Sequence, residues 1–284
     1  MLTRSINMKK LSVITINFNN REGLRKTINS VVNQSFSDFE YIIIDGGSTD
    51  GSVDVIKEYA DKIDYWISEP DTGIYNAMNK GILKATGEYC NFMNSGDCFC
   101  HDSVLETISS YFHEDIINGK HWAGNQNHLL GHFSSSITML DFVRSSISHQ
   151  ASFIRRALFE NNLYDESLKI VSDWKFFIDV IIFKNCSFKN LDIVVAHFDD
   201  SGISNTNLDM NTLEREKVLR QFLPERIYID YLRLSKADSP LLELTPYLNR
   251  TYGFQNFVYK LVSCLIRIYS FMRRLFPIEN QTSP

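Results

Sequence analysis

The chain has 284 residues, 29 basic against 34 acidic side chains for a net charge of -5, and a composition 44% apolar and 13% aromatic with 13 Gly and 6 Pro. That length allows one large α/β domain or two small ones, and the composition excludes disordered, collagenous and repeat-fibre classes. No basic face broad enough for a polyanion is visible, so no nucleic acid is expected as a partner.

The five cysteines (Cys90, Cys98, Cys100, Cys186, Cys264) are odd in number and form no C-x-x-C pairs, which reads as reduced thiols in a cytoplasmic protein. Near the N-terminus the only apolar run, Leu11 to Ile16, leads into Asn17 and Asn19 rather than a cleavage site, so no secretion signal is expected, and Met1 to Asn7 is assigned no structural role. The uncharged run Leu261 to Ile266 is far short of the ~20 residues a spanning helix requires.

In chain order, Leu11 to Ile16 and Glu40 to Asp45 are β-branched runs without polar alternation, the pattern of parallel strands covered on both faces. Leu24, Ile28, Val31 and Val32 between them put one apolar stripe on a crossover helix. The unit repeats: a helix over Gly51 to Ala60, a strand over Asp64 to Ser68, a helix over Ile74 to Thr86 closed by Gly87, and a strand over Glu88 to Met93. Such alternation predicts an α/β domain with a mostly parallel nucleotide-binding sheet flanked by helices. Ser103 to Phe112 reads as helical. Gly119 to Ser136 is weakly periodic and suits a substrate-facing insertion. Order returns at Ser148 to Ile154, then in a helical stripe of Trp174, Phe177, Ile178 and Ile181, and in a strand over Phe188 to Phe198. Asp209 to Ala237 is helical and charged.

Open parallel sheets bind ligands outside the carboxyl ends of their strands, so the polar residues that follow each strand carry the candidate site. These are Asn17-Phe-Asn-Asn20, Asp45-Gly-Gly-Ser-Thr-Asp-Gly51, Glu69-Pro-Asp71-Thr-Gly73 and Asn94-Ser-Gly-Asp97. Two glycines after Asp45 let the backbone turn sharply and bring a flat ring to the carboxylate. Asp50 suits a helix cap instead. Asp97 projects toward the same cleft, where a diphosphate needs a hard cation, Mg²⁺ or Mn²⁺. His149 either touches a ligand or is satisfied by backbone, His197 is a weak candidate for a metal shell, and His113, His121, His128 and His132 lack the spacing of a structural zinc site.

Taken together these residues resemble the inverting family 2 glycosyltransferases of GT-A fold. More narrowly, Glu69-Pro-Asp-Thr-Gly-Ile-Tyr-Asn-Ala-Met-Asn-Lys-Gly81, Asn94-Ser-Gly-Asp97, Ser148-His-Gln150, Ser172-Asp173 and Gly202-Ile-Ser204 are similar to transferases of bacterial colanic-acid and capsule gene clusters. The resemblance implies that Asp45 contacts the nucleotide base, that Asn17 and Asp71 line the nucleotide pocket, that Asp97 ends a D-x-D element and holds the metal, and that Asp173 is the catalytic base. Ser95 stands where that element has its first acid. Ser95 and His149 complete the expected nucleotide-sugar set. A cap for the helix carrying Trp174 is the competing role for Asp173.

The resemblance further implies a nucleotide-sugar donor, a UDP-sugar, and a glycan or polyprenyl-diphosphate-linked acceptor. Competing readings are a non-catalytic scaffold and a sugar nucleotidyltransferase; the latter needs a Gly-rich loop after the first strand, where Asn17 to Asn20 has none. The expected organisation is a transferase domain over 9–207, a helical extension over 208–250 and a tail over 251–284. Between Leu244 and Ile278 no acid opposes Arg250, Lys260, Arg267, Arg273 and Arg274, so this stretch carries +5 and the rest of the chain -10. Apolar residues from Phe254 to Leu275 recur at three- and four-residue steps, a cationic amphipathic helix suited to the cytoplasmic face of the inner membrane, or to packing on protein.

Overall fold

The computed structural model describes residues 9–124, 128–131, 133, 136–199, 207–236 and 252–275, and the chain divides into two compact units, 1–228 and 229–284. In the first, β1 (Leu11–Asn17) pairs in parallel with β2 (Phe39–Asp45), and β2 with β3 (Tyr65–Ser68). On the other side of β1 lies β4 (Tyr89–Phe92), also parallel. All seven residues of β1 are buried, because helices cover both faces of this half of the sheet. Connecting helix α1 (Arg21–Val32) starts where the Asn20 side chain accepts the Gly23 N–H, and it buries Leu24, Thr27, Ile28 and Val31. Helices α2 (Ser52–Glu58) and α3 (Ile74–Lys84) complete the crossovers. Asp50 accepts N–H bonds from both Ser52 and Arg21, and so steadies the first turns of α2 and α1 together.

Gly87 does not close α3 as its position suggested. The helix ends at Lys84 with Ala85 extended, and Gly87 serves instead as a point of contact with β1. A Cβ there would stand 2.6 Å from the Leu11 carbonyl carbon and the Ser12 nitrogen, while its N–H donates to Ser12 Oγ at 2.9 Å.

Beyond β4 the sheet becomes mixed. After the short β5 (Cys98–Phe99) and α4 (Val104–Ser109) come β6 (Ile116–Ala123), β7 (His128–Leu130), α5 (Met139–Arg144), β8 (Ser152–Arg155) and β9 (Phe188–Phe198), in the spatial order β3-β2-β1-β4-β8-β6-β9-β5 with β7 beside β6. Antiparallel β8 joins β4 to β6, and β9 runs parallel to β6. The expected insertion from Gly119 therefore begins inside a central strand. Gly119 itself lies against Val195 of β9, where a Cβ would meet Cγ2 at 2.5 Å, so the glycine and asparagine that mask the strand period are packing choices. Helix α6 (Ser172–Phe177) continues as a π-helical stretch to Phe183, burying Trp174, Phe177, Ile178 and Ile181 as their spacing predicts. The charged stretch from Asp209 forms two helices, α7 (Leu208–Phe222) and α8 (Glu225–Lys236), divided at Pro224. In the second unit α9 spans Tyr252–Leu275.

Substituting Gly87→Ala is expected to lower stability by about 1–3 kcal/mol through overpacking against the β1 backbone. A thermal midpoint equal to wild type would show that this contact carries no strain.

Candidate active site

The last residues of three parallel strands stand in register, Asn17 opposite Asp45 and Asp45 opposite Ser68. The buried Asp45 carboxylate accepts from Asn17 Nδ2 at 2.7 Å, Ser48 N at 2.9 Å, and Ser48 Oγ and Ser68 Oγ at 2.6 Å each. Burial alone would raise its pKa, but these donors outweigh it and hold the group below the usual carboxylate range. Asn17 Oδ1, on the other side of the same amide, is buried with no partner among the described residues.

The next strand end supplies Asn94-Ser-Gly-Asp97. Thr27 Oγ1 donates to the Asp97 carbonyl at 2.6 Å and accepts the Gly96 N–H at 3.0 Å, so α1 fixes the turn. Gly96 has φ +106°, a conformation that L side chains rarely adopt, and its missing Cβ leaves room for Asp199 Oδ2, which would lie 2.5 Å from that atom. Asp97 Oδ1 accepts the Asp199 N–H at 2.8 Å. Burial nevertheless dominates and pushes the Asp97 carboxyl up to about 6.

Asp173 is the second residue of α6, one step inside the helix rather than at its cap. Its Oδ1 accepts from Trp174 N at 2.8 Å and lies 2.9 Å from the Tyr75 hydroxyl, whose one proton is shared with the Ile170 carbonyl at 2.6 Å. Its Oδ2 lies 2.9 Å from His149 Nδ1, and His149 Nε2 lies 3.0 Å from Asn94 Nδ2. An amide nitrogen only donates and a carboxylate only accepts, so the proton of a neutral His149 sits on Nδ1. Burial acts to raise the Asp173 pKa; the bonds from His149 and Tyr75 outweigh it, and the carboxyl is held below its ordinary value.

These groups share one cavity of about 480 Å³. Of the residues expected from sequence, Asn17, Asp71, Ser95, Asp97, His149 and Asp173 line it. Asp45 does not; it holds Asn17, which does. His197 is also absent from the wall, on β9 opposite Cys98, as is every described residue from Gly119 to Ser136. Gly202-Ile-Ser204 and His132 lie outside the described residues. Tyr75 and Gln150, which the motifs contain without a role, and Lys169 and Asp199, which no motif contains, are also in the lining. Asp199 follows a strand directly and was open to the rule that found Asp97; no local pattern marks Lys169.

A divalent cation fits this donor set. Asp97 and Asp199 are adjoining carboxylates at the cavity, and a small hard cation takes one or two such ligands while water and phosphate complete its shell. Among the described residues no group of three or more His, Cys, Asp or Glu forms a complete protein cage.

The sequence pattern of glycosyl transferase family 2 matches residues 12–173, and the chain belongs to that family. It is 32% identical over 209 residues to an uncharacterized glycosyltransferase of Mycobacterium tuberculosis, covering 68% of this chain and 76% of the relative. It is 30% identical over 222 residues to the poly(ribitol-phosphate) beta-N-acetylglucosaminyltransferase TarP of Staphylococcus aureus, covering 70% and 67%. Among solved structures, residues 1–349 of S. aureus TarS in complex with UDP-GlcNAc superpose with a TM-score of 0.64 at 20% identity, over 87% of this chain and 77% of that one. The Pyrobaculum calidifontis mannosyltransferase with GDP-Man and Mn²⁺ gives 0.59 at 12%, over 95% and 88%. The curled, mostly parallel sheet flanked by helices is thus the GT-A fold.

The raised pKa of Asp97 has a signed consequence. The folded chain holds its proton between the ordinary carboxylate value and about 6, so this group's contribution favours folding at acid pH and is lost as pH rises through about 6. Asp97→Asn is therefore expected to stabilise the metal-free protein at pH 7, by about 1–3 kcal/mol, and to flatten the melting temperature between about pH 4 and 6. An unchanged pH profile in that variant would remove the assignment.

Proposed function

We propose that the protein is an inverting glycosyltransferase that moves a sugar from a nucleoside-diphosphate donor, a UDP-sugar, to a glycan or lipid-linked acceptor of bacterial surface polysaccharide. The observation that carries this reading is that Asp173 faces the same cavity as Asp97 and Asp199, so a base and a diphosphate site lie within reach of one sugar. The relatives support it: TarS binds UDP-GlcNAc and TarP is named for transfer to a poly(ribitol-phosphate).

In this reading Asn17 and Asp71 border the nucleotide. Asp97 and Asp199 would hold Mg²⁺ or Mn²⁺, which would supply positive charge against that of the departing diphosphate, and the mannosyltransferase with Mn²⁺ supports that choice. The acceptor oxygen bonds to the anomeric carbon as the carbon–phosphate-oxygen bond breaks, and its proton goes to Asp173. Oδ1 already has two donors, so Oδ2, with His149 alone, keeps a lone pair for that proton. Held ionised by His149 and Tyr75, the carboxylate is ready as a general base, a role worth ~10²- to 10⁴-fold in rate.

The test is nucleoside diphosphate release from a panel of nucleotide sugars with Mn²⁺ and lipid-diphosphate acceptors. Asp173→Asn is expected to bind UDP as wild type does and to lose at least about a hundredfold in turnover. Full turnover in that variant would dismiss the base.

The second unit suits a membrane surface. No described helix is long and apolar enough to cross a bilayer. Along α9, Phe254, Phe257, Leu261, Leu265 and Ile268 are exposed at three- and four-residue steps, with exposed Lys260 and Arg267 and no acid in the helix. Deleting residues 252–284 is expected to abolish sedimentation with phosphatidylglycerol vesicles and to spare turnover on a soluble acceptor. Undiminished sedimentation would remove the membrane role.

A further inference from the structure

Helix α7 lies outside the residues matched by the family pattern, yet two of its successive side chains grip the turn that carries Asp173. Glu214 Oε1 accepts the Lys169 N–H at 2.6 Å, and its Oε2 accepts those of Ile170 at 2.9 Å and Val171 at 3.3 Å. Three consecutive amides just ahead of α6 thus converge on one carboxylate, which also faces the positive end of that helix. On the far side of Asp173, the Arg215 guanidinium lies 4.5 Å from the centre of the Trp174 ring. Asp173 is bracketed by residues that α7 holds.

The same turn reaches across the cavity. Lys169 Nζ donates to the Thr72 carbonyl at 3.2 Å, just before α3, and α3 supplies Tyr75, whose hydroxyl meets both Ile170 O and Asp173. Val218 and Leu219, one turn beyond Glu214, are buried and fix the helix in the first unit. A carboxylate accepting three backbone bonds fixes the direction of a short loop far better than packing on one apolar face.

We infer that Glu214 is a positioning residue for transfer, setting the 169–171 turn so that Asp173 and Lys169 meet the acceptor side of the cavity. The inference rests on the reading of Asp173 as the base. On this account Glu214 acts through the 169–171 turn although it lies beyond the residues that the family pattern matches.

The experiment measures kcat and KM with the donor that gives most nucleoside diphosphate release, UDP affinity with Mn²⁺ by calorimetry, and the thermal midpoint, for Glu214→Ala, Glu214→Gln, Asp173→Asn and the control Glu216→Gln. Glu216 is exposed and paired with Arg220 on the same helix, so its variant is expected to match wild type. Glu214→Ala is expected to lose about tenfold to a hundredfold in kcat, the scale on which small misplacements act, while UDP affinity stays within about twofold. Glu214→Gln, which keeps one acceptor oxygen, falls between the two. Unchanged kcat in Glu214→Ala overturns the inference, as does a loss of kcat matched by equal loss of UDP affinity in Glu214→Gln, the mark of a merely structural role. Full turnover in Asp173→Asn instead removes the base reading and leaves the Glu214 result to be judged by its own split.

Discussion

A buried carboxylate at the ends of three strands is the constraint on which the site depends. Asp45 is sealed from solvent, and an ionised carboxylate there is tolerated only if donors replace its water. The donors are Asn17 from β1, Ser68 from β3 and Ser48 from the turn, so meeting that demand aligns three strand ends and folds the following loop back. Gly47, with φ +81°, lets the loop reach Ser48 into place. The Asn17 amide is thereby turned so that its nitrogen points at Asp45, and Asn17 is held in the cavity wall.

Two acids in the cavity wall, Asp97 and Asp173, are set apart by the same physics. Asp97 has one backbone donor and a neighbouring carboxylate, so burial prevails and its proton affinity rises; Asp173 has His149, Tyr75 and its own helix, and they prevail over burial. Carboxylates whose environments push them in opposite directions are suited to different work. A carboxylate left short of donors by burial gains from a cation that offsets its charge once it is ionised, whereas a lowered one stays ionised and accepts a proton only as an attacking hydroxyl becomes acidic.

Much of this was legible from sequence where the chain repeats a simple rule. In the parallel half, apolar runs mark strands, and the polar segments after the runs mark the cavity: position singles out the segments that hold Asn17, Asp71 and Asp97, the resemblance picks Asn17 and Asp71 within them, and Asp45 of the second run stands behind the wall. The rule weakens where the sheet turns mixed. β6 contains Asn118 and Gly119, admitted because Asn118 bonds Asn190 and Ser152 and Gly119 lies against β9, so its periodicity reads as loop. Gly87 illustrates a different ambiguity: a glycine after a helix is commonly a left-handed cap, and nothing local tells that from a close approach to a strand 75 residues earlier. The Glu214 contacts, spanning 43 to 45 residues, leave no periodic trace at all.

The mixed half of the sheet also explains how a histidine that precedes a strand reaches a site built from residues that follow strands. β8 runs antiparallel to β4, so its beginning lies at the edge where β1, β2 and β4 end. The 3-10 turn His149–Ala151 just ahead of it therefore opens onto the cavity, and His149 spans from Asn94, at the end of β4, to Asp173. β9 runs parallel to β6 and hence again in the sense of β4, so its last residue delivers Asp199 to the same edge. Reversing one strand thus brings His149 and Asp199 to the cavity that Asp97 and Asp173 line, and no single run of residues holds all four.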